Sequence, residues 1–412
     1  MKAKLFNFIA LDLGSSKIAC VAAYVGKQAQ TKIVSQDLYY SKGIRGGKIL
    51  DLKEAESSII GAIYALEKDC GKNIKKITVS LTGAGTKSYY TNNKIKLSNQ
   101  AISLSDIKKL IQKALAEFKL KDLEIIHYFP IEFTLDNNSS IASPLGMYGK
   151  ELSCELHIIA ANSNILRNIT NCFAKCHVEI TNIVLAIYAS GIACLTEDEK
   201  SQGVVIIDIG ARTTCFGVFL ADKLIYTNYI DLGSFHITSD IAKVFAISFA
   251  VAEKLKVLHG NALLYSFDKN HTINMDDLDI DSPYNSLPLI KSSDLTEVIN
   301  SRVEEIFQMV KKEYDNAIGN PLIARRLVIT GGGSMLRGMK EVAAKIFEKQ
   351  VRIGKPETIP GFAEGYNPSM YSTAIGIVKN QIIRQQKNSF KTDELEEPVW
   401  LKKALNWLKE NI

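Results

Sequence analysis

A duplicated segment constrains the fold of this chain more than any other sequence feature. Residues 9–16 read IALDLGSS, and 196 residues further on residues 205–212 read VIIDIGAR. Each copy is an apolar run that ends in an aspartate and continues into a glycine turn and a return strand. A short apolar run bounded by a turn indicates a buried strand. The chain is therefore predicted to contain two copies of one strand–turn–strand unit.

Both copies have the composition of a phosphate-binding turn. Backbone N–H groups of a Gly- and Ser-rich turn can approach phosphate oxygens, and the strand-end aspartates, Asp12 and Asp208, can each hold a hydrated Mg²⁺. A single D-x-G sequence is more typical of an ordinary hairpin. The duplication and a third glycine-rich turn at 328–338 (VITGGGSMLRG) favour the phosphate interpretation. That third turn would let an adenine and a ribose lie against the backbone.

Composition and charge exclude several other classes. Of the 412 residues, 46% are hydrophobic and 23% are charged, which is typical of a folded globular protein and not of a disordered chain. No apolar run approaches the roughly 20 residues of a membrane-spanning helix. The net charge of +6 is small and diffuse, so nucleic-acid binding is not expected.

Two local patterns resemble a secretion signal and a metal site. The N-terminal LFNFIAL resembles a secretion signal, but Asp12 interrupts its apolar run, so a buried strand is favoured. Cys172, Cys176 and His177 form the densest group of metal-like ligands. They lack a second ligand pair, so a helix face is favoured over a zinc site. The seven cysteines are odd in number and scattered, as in a reducing compartment.

The chain changes character between 84 and 161. Strand and helix patterns typical of an α/β domain lie on both sides of this stretch. Within it we expect short strands at SYYT and KIKL, one helix at about 105–118, and strands near 124–133 and 153–161. This pattern indicates a small α+β module inserted into a larger α/β domain.

Seven segments together resemble the actin/Hsp70/hexokinase nucleotide-binding superfamily and, more narrowly, the FtsA family of bacterial actin-like cell-division proteins. The resemblance covers almost the whole chain. Its segments are ALDLGSSKI (10–18), KGIRGGKILDL (42–52), LTEDEKSQGVVIIDIG (195–210), SDIAKVF (239–245), AEKLKVLHG (252–260), LVITGGGSMLRGM (327–339) and YSTAIGI (371–377).

The resemblance implies an α/β, actin-like (ribonuclease H-like) duplicated two-lobed ATPase fold with a small inserted α+β subdomain and a C-terminal amphipathic helix. We expect a first lobe at 1–83, 162–194 and 376–385, the insertion at 84–161, a second-lobe core at 195–235 and 321–375, its upper subdomain at 236–320, a linker at 386–397 and the terminal helix at 398–412.

ATP and Mg²⁺ are the expected cofactors. Asp12 and Asp208 would hold Mg²⁺ through water, and Glu253 and Lys256 would lie at the ribose. Read without the resemblance, the last two are typical solvated helix charges. The full set of expected cofactor-binding residues is Asp12, Gly14, Ser15, Ser16, Lys17, Asp208, Gly210, Ala211, Arg212, Thr213, Thr214, Glu253, Lys256, Gly331, Gly332, Gly333 and Met335.

The second turn departs from the family pattern, which reads G-G-G-T. Here it reads Gly210-Ala211-Arg212-Thr213. Arg212 could supply a cation for phosphate or clash with the usual turn. Nucleotide binding is expected, efficient hydrolysis is not, and no catalytic base can be assigned from spacing.

Both tryptophans lie in the last 13 residues, behind a polar and acidic stretch. On a helical wheel 398–412 forms an apolar stripe with lysines opposite, and at about 22 Å it is too short to span a bilayer. A helix lying in the headgroup region is favoured over one packed on the protein core. The expected membrane-binding residues are Trp400, Leu401, Lys402, Lys403, Leu405, Trp407, Leu408, Lys409 and Ile412.

The resemblance implies a peripheral protein on the cytoplasmic face of the bacterial inner membrane, at the division septum. Its expected partners are the C-terminal peptide of FtsZ near 234–240 and 300–302, further copies of itself in an actin-like polymer, anionic lipid, and later division proteins at the insertion. The alternatives are a small-molecule kinase and an actin-like pilus-assembly ATPase. An Hsp70 chaperone is disfavoured because no substrate-binding domain follows.

Overall fold

The first half of the molecule is organised around a mixed sheet. The computed structural model describes residues 4–26, 30–83, 85–98, 100–263, 271–274, 289–320, 323–357 and 359–389, with side chains described up to 385. Among these residues the first sheet has the order β11-β6-β1-β2-β3. Its strands are β1 (Phe8–Leu13), β2 (Lys17–Tyr24), β3 (Lys32–Tyr40), β6 (Lys76–Leu81) and β11 (Glu179–Leu185).

The second sheet repeats this topology. Its order is β14-β13-β12-β17-β18, with β12 (Val204–Ile209), β13 (Thr214–Leu220), β14 (Lys223–Ile230), β17 (Arg326–Thr330) and β18 (Gln350–Ile353). In each sheet the first strand of the duplicated unit is antiparallel to the return strand on one side and parallel to a later strand on the other. The prediction of a duplicated α/β fold is confirmed.

Helices pack on both sheets through buried apolar side chains. Asp51 caps the first helix by accepting the Glu54 N–H. The helices are α1 (Leu52–Cys70), α2 (Leu104–Glu117), α3 (Ser163–Lys175), α4 (Ala186–Cys194), α5 (Glu197–Gln202), α6 (Ser234–Val244), α7 (Phe249–His259), α8 (Ser292–Ile318), α9 (Met339–Phe347) and α10 (Ser372–Ser389). No helix in the described ranges is long and apolar enough to cross a membrane.

The inserted module is a separate sheet of order β7-β10-β8-β9 with α2 packed on it. Its strands are β7 (Thr86–Lys96), β8 (Leu123–Leu135), β9 (Asn138–Ile141) and β10 (Glu151–Asn162). The prediction of two short strands at SYYT and KIKL was wrong, because β7 runs unbroken along eleven paired residues of β10. The short hairpin of β4 (Ile44–Arg45) and β5 (Lys48–Ile49) and the short β15 (Thr272–Ile273) and β16 (Ile290–Lys291) complete the described strands.

Helices α4 and α10 lie between the two sheets. One cluster of buried side chains contains residues of the first sheet, the second sheet and both helices. The two helices pack so closely that a Cβ on Gly376 would overlap the carbonyl of Ala189. Because α10 touches both halves, the assignment of 376–385 to one lobe stays a prediction, as do the other lobe boundaries. The predicted linker beyond 389 and the terminal helix lie outside the described residues.

Candidate functional site

The two duplicated turns meet at a cavity of about 400 Å³. Strands β1 and β12 deliver Asp12 and Asp208 to it, and the third glycine-rich turn closes the same space. A cavity of this size is within the range of small-molecule sites. The predicted site residues that line it are Asp12, Gly14, Ser15, Ser16, Lys17, Asp208, Gly210, Ala211, Thr213, Glu253, Lys256, Gly331, Gly332, Gly333 and Met335.

Asp12 is held by a hydroxyl from the neighbouring strand. Ser80 Oγ, at the end of β6, donates to Asp12 Oδ1 over 2.7 Å and accepts the Leu13 N–H over 2.9 Å. Burial raises the pKa of Asp12 from 3.8 to about 6, and the charge of Asp208 adds to the rise, while Ser80 and Lys17 oppose it. The carboxylate therefore lies in a position where a cation would be favoured.

Asp208 is held from the central helices. Ser190 Oγ of α4 donates to Asp208 Oδ2 over 2.7 Å and lies 3.0 Å from Thr373 Oγ1 of α10. Burial raises the pKa of Asp208, against the effects of Ser190 and Lys17. Gly331 has φ +85°, and a Cβ there would overlap Asp208 Oδ1. Only glycine fits both the conformation and the space.

Lys17 lies between the two aspartates and the third turn. Its Nζ is 3.4 Å from the position that a Cβ on Gly332 would occupy. Burial lowers the pKa of Lys17 from 10.5 to about 8, while the charges of Asp12 and Asp208 oppose this. Lys17 thus reaches from the first half across the cavity to the third turn, close to both aspartates.

The predicted ribose pair is built into the wall of the cavity. Lys256 Nζ donates to Glu253 Oε2 and to Thr238 Oγ1, each over 2.8 Å, and Lys256 is only 8% exposed. Thr238 Oγ1 also lies 2.5 Å from Glu253 Oε2. The alternative of two solvated helix charges is wrong for Lys256, because the packing of α7 on α6 buries it.

Further apolar residues of α7 and the third turn also line the cavity. They are Val257, Gly260, Met335 and Leu336, of which Val257 is 68% and Met335 is 48% exposed. Sequence reasoning found Met335 but missed the other three. Val257 and Gly260 lie within the segment AEKLKVLHG, which also contains Lys256. Their closeness to Lys256 in the sequence could have identified them as cavity residues.

Two predicted residues are not brought to the cavity wall. Thr214 is buried and donates through Oγ1 to the Leu232 carbonyl over 2.8 Å. The guanidinium of Arg212 stacks on the ring of Phe235, with Cζ 3.3 Å from the ring centroid. The turn itself keeps its hydrogen bond from Gly210 N–H to Thr213 O (2.9 Å), so Arg212 does not disrupt it.

The hairpin of β4 and β5 joins the two turns. Ser15 Oγ accepts the Gly46 N–H over 2.8 Å, and a Cβ on Gly46 would lie 3.2 Å from Thr213 Cγ2. Gly46 and Gly47 both have positive φ, as a tight turn at this tip requires. The recognised segment KGIRGGKILDL therefore contacts the turns of both halves.

Other candidate sites contain none of these residues. Cys172 and Cys176 lie on α3 and its C-terminal cap, where Cys176 Sγ donates to the Cys172 carbonyl. The structure shows no group of three or more potential metal ligands in the ranges that it describes. A larger cavity, of about 850 Å³, lies in the second half between the ends of α8, α9 and β18. Because it touches neither the first half nor the turns, we do not assign the nucleotide to it.

Two halves of one topology that close over a carboxylate-bearing cavity, with a small sheet inserted in the first, define an actin-like two-lobed protein. Residues 205–376 match the family model described as cell division protein FtsA, and 83–160 match the SHS2 domain inserted in FtsA. The chain is 30% identical to cell division protein FtsA of Rhizobium meliloti, over 89% of this chain and 85% of that one. The chain belongs to the FtsA family and is a cell-division protein.

A second FtsA protein and two solved structures are also similar to this chain over most of its length. Cell division protein FtsA of Pseudomonas aeruginosa is 28% identical over 98% of this chain and 97% of its own. Among solved structures, a PilM–PilN type IV pilus biogenesis complex matches with a TM-score of 0.60 at 12% identity, covering 91% and 98% of the two chains. MreB 5 of Spiroplasma citri bound to AMPPNP matches with a TM-score of 0.55 at 16% identity, covering 93% and 98%. These structures support the fold alone.

We predict that Asp12→Asn stabilises the ligand-free chain at neutral pH. Because the pKa of Asp12 is raised in the folded state, its ionisation lowers stability progressively as the pH rises from about 4 to 6, and the loss then stays constant. Asn keeps an acceptor for Ser80 without the charge. The gain should be at most about 3 kcal/mol at pH 7.5 and should vanish near pH 4. Thermal unfolding across this pH range measures the effect, and Asp198→Asn, at an exposed position, is the control. The same pH dependence of stability in both variants would contradict the prediction.

Proposed function

We propose that this chain binds ATP with Mg²⁺ between its two halves, self-associates in an actin-like manner, and anchors the FtsZ ring to the cytoplasmic face of the membrane while recruiting later division proteins. The observation that carries the nucleotide part of the proposal is the convergence of both duplicated turns and the third glycine-rich turn on one cavity. Membership of the FtsA family supports the division role. ATP hydrolysis is not part of the proposal.

The residues of the cavity fit a Mg-nucleotide. The turns at Gly14–Ser16 and Gly210–Thr213 would offer backbone N–H groups to phosphate, apart from those of Gly14 and Gly210, which are hydrogen-bonded within the turns. Asp12 and Asp208 would hold the hydrated ion. Glu253 and Lys256 would bind the ribose, and Gly331–Gly333 with Met335 would contact the adenine. When bound, Mg²⁺ would balance the charge of the two carboxylates and the phosphates. The AMPPNP in the MreB 5 structure supports this use of the fold.

Asp208→Ala is predicted to weaken Mg-ATP binding by about tenfold or more. Asp208 would act on Mg²⁺ through water, and outer-shell carboxylates of metal sites contribute at this level. Isothermal titration calorimetry with Mg-ATP measures the change, and Asp315→Ala, a carboxylate outside this cavity, is the control. An unaltered titration would show that the second turn is not part of the site. Robust phosphoryl transfer to small molecules would instead favour a kinase.

A groove between α6 and α8 supports the proposed FtsZ peptide site. It has a volume of about 560 Å³ and contains Val244, Val298, Ser301 and Arg302 among its lining residues. Arg302 of α8 bridges to Asp240 of α6. Its Nε donates to Asp240 Oδ2 over 2.6 Å, and its Nη2 donates to Asp240 Oδ1 over 3.2 Å. Both regions expected from the resemblance, 234–240 and 300–302, contribute to this groove or to the elements that form it.

Arg302→Ala should reduce the affinity for a synthetic FtsZ C-terminal peptide by about tenfold, the loss typical of an interface arginine at the centre of a contact. The substitution removes a cation from the groove and leaves Asp240 unpaired. Fluorescence anisotropy of a labelled peptide gives the dissociation constant. Lys312→Ala, exposed on the same helix but outside the groove, should bind normally; equal effects of both variants would exclude this groove.

Deletion of 398–412 should abolish co-sedimentation with anionic liposomes, because the lysines and the apolar stripe of that segment would supply the attachment. The full chain and the deletion variant are each sedimented with vesicles that contain phosphatidylglycerol, in the presence and in the absence of ATP and the FtsZ peptide, and the bound fractions are compared. Binding to neutral vesicles should be weaker. Unchanged sedimentation of the deleted chain would place the membrane contact elsewhere.

A further inference from the structure

The inserted sheet hydrogen-bonds to the second half of the molecule, although the first half carries it. The contacts follow β14, which is an edge strand of the second sheet. Tyr90 Oη donates to the Ile225 carbonyl (2.6 Å), and Ser88 Oγ donates to the Thr227 carbonyl (2.9 Å). His157 Nδ1 lies 2.7 Å from the Leu224 carbonyl. Side chains of the insertion therefore satisfy backbone groups that an edge strand leaves unpaired.

The insertion also contacts the start of α4. Leu185, the residue before the helix, donates its N–H to His127 Nε2 over 2.9 Å. Since Nε2 accepts, the ring is neutral with its proton on Nδ1. His127 and Phe129 of β8 both pack on Tyr188 of α4, with ring centroids 5.1 Å apart in each pair. One polar and two aromatic contacts thus fix this end of the helix.

The same helix holds an aspartate of the candidate site. Ser190 of α4 donates to Asp208 Oδ2 over 2.7 Å. Leu185 and Ser190 are separated by about 8 Å along the helix axis. Nearly all of α4 is buried between the two sheets, and Gly191 lies against the ring of Phe219. A displacement at the start of so short and enclosed a helix moves Ser190 as well.

We propose that the inserted sheet regulates nucleotide affinity through α4: His127 positions the start of the helix, and Ser190 on the same helix positions Asp208. A partner that shifts the insertion would then change the affinity of the cavity, and by linkage a bound nucleotide would hold the insertion in place. His127 is a positioning residue in this scheme. The proposal rests on the proposed nucleotide function and adds its regulation.

The test uses His127→Phe in the full chain, which keeps an aromatic ring on Tyr188 but removes the acceptor for Leu185. We expect Mg-ADP affinity to fall about 3- to 30-fold by calorimetry. His127→Gln offers a carbonyl oxygen close to the position of Nε2 and should recover most of the affinity. Phe133→Leu is the matched control, because Phe133 lies in the insertion's own core. It should bind Mg-ADP like the wild type.

Hydrogen exchange in the ligand-free chain gives a second, independent readout. His127→Phe should accelerate exchange in peptides that cover α4 and β12, whereas Phe133→Leu should not. Wild-type affinity in His127→Phe, equal losses in His127→Phe and Phe133→Leu, or unchanged exchange in α4 would each overturn the coupling. A wild-type chain that binds no nucleotide would overturn the proposed function instead, and the exchange data would still decide whether His127 positions α4.

Discussion

The close approach of the half-buried Asp12 and Asp208 is the constraint on which the rest of the structure depends. Two carboxylates at the ends of equivalent strands repel each other and lose hydration, so each needs a donor. Ser80 supplies one from the first sheet, and Ser190 supplies the other from α4. Lys17 adds the charge that both share. The elements that carry these donors are consequently fixed relative to one another.

This arrangement ties the central helices to the two sheets. Ser190 belongs to α4 and its neighbour Thr373 belongs to α10, so the polar contact at Asp208 continues the apolar packing between the sheets. The absence of a side chain at Gly376 lets α10 approach Ala189 closely. The segment YSTAIGI therefore has a structural role. It places small and hydroxylated side chains where α10 packs against α4, between the two halves.

Much of the fold could be predicted because its signals are local. The duplicated apolar runs and the glycine turns each depend on neighbouring residues, and they predicted the strand–turn–strand unit of each sheet and the three turns that line the cavity. The contacts of Ser80, Ser190 and Thr373 could not be predicted, because they join residues far apart in sequence. A serine in the apolar strand KITVSL was a weak signal. The stacking of Arg212 on Phe235 and the burial of Lys256 likewise depend on how α6 and α7 pack.

The same electrostatics that destabilise the free site would favour its ligand. Burial raises the pKa of Asp12 and of Asp208, so the ionised pair is poorly stabilised without a cation. A divalent ion between them would stabilise both charged forms, and ligand that binds only the folded, closed arrangement stabilises that arrangement by mass action. Because the two carboxylates come from different halves, this stabilisation acts between the halves rather than within one. If the proposed nucleotide binds here, it would thereby favour one arrangement of the two halves, and in the proposed coupling α4 would transmit that arrangement to the inserted sheet.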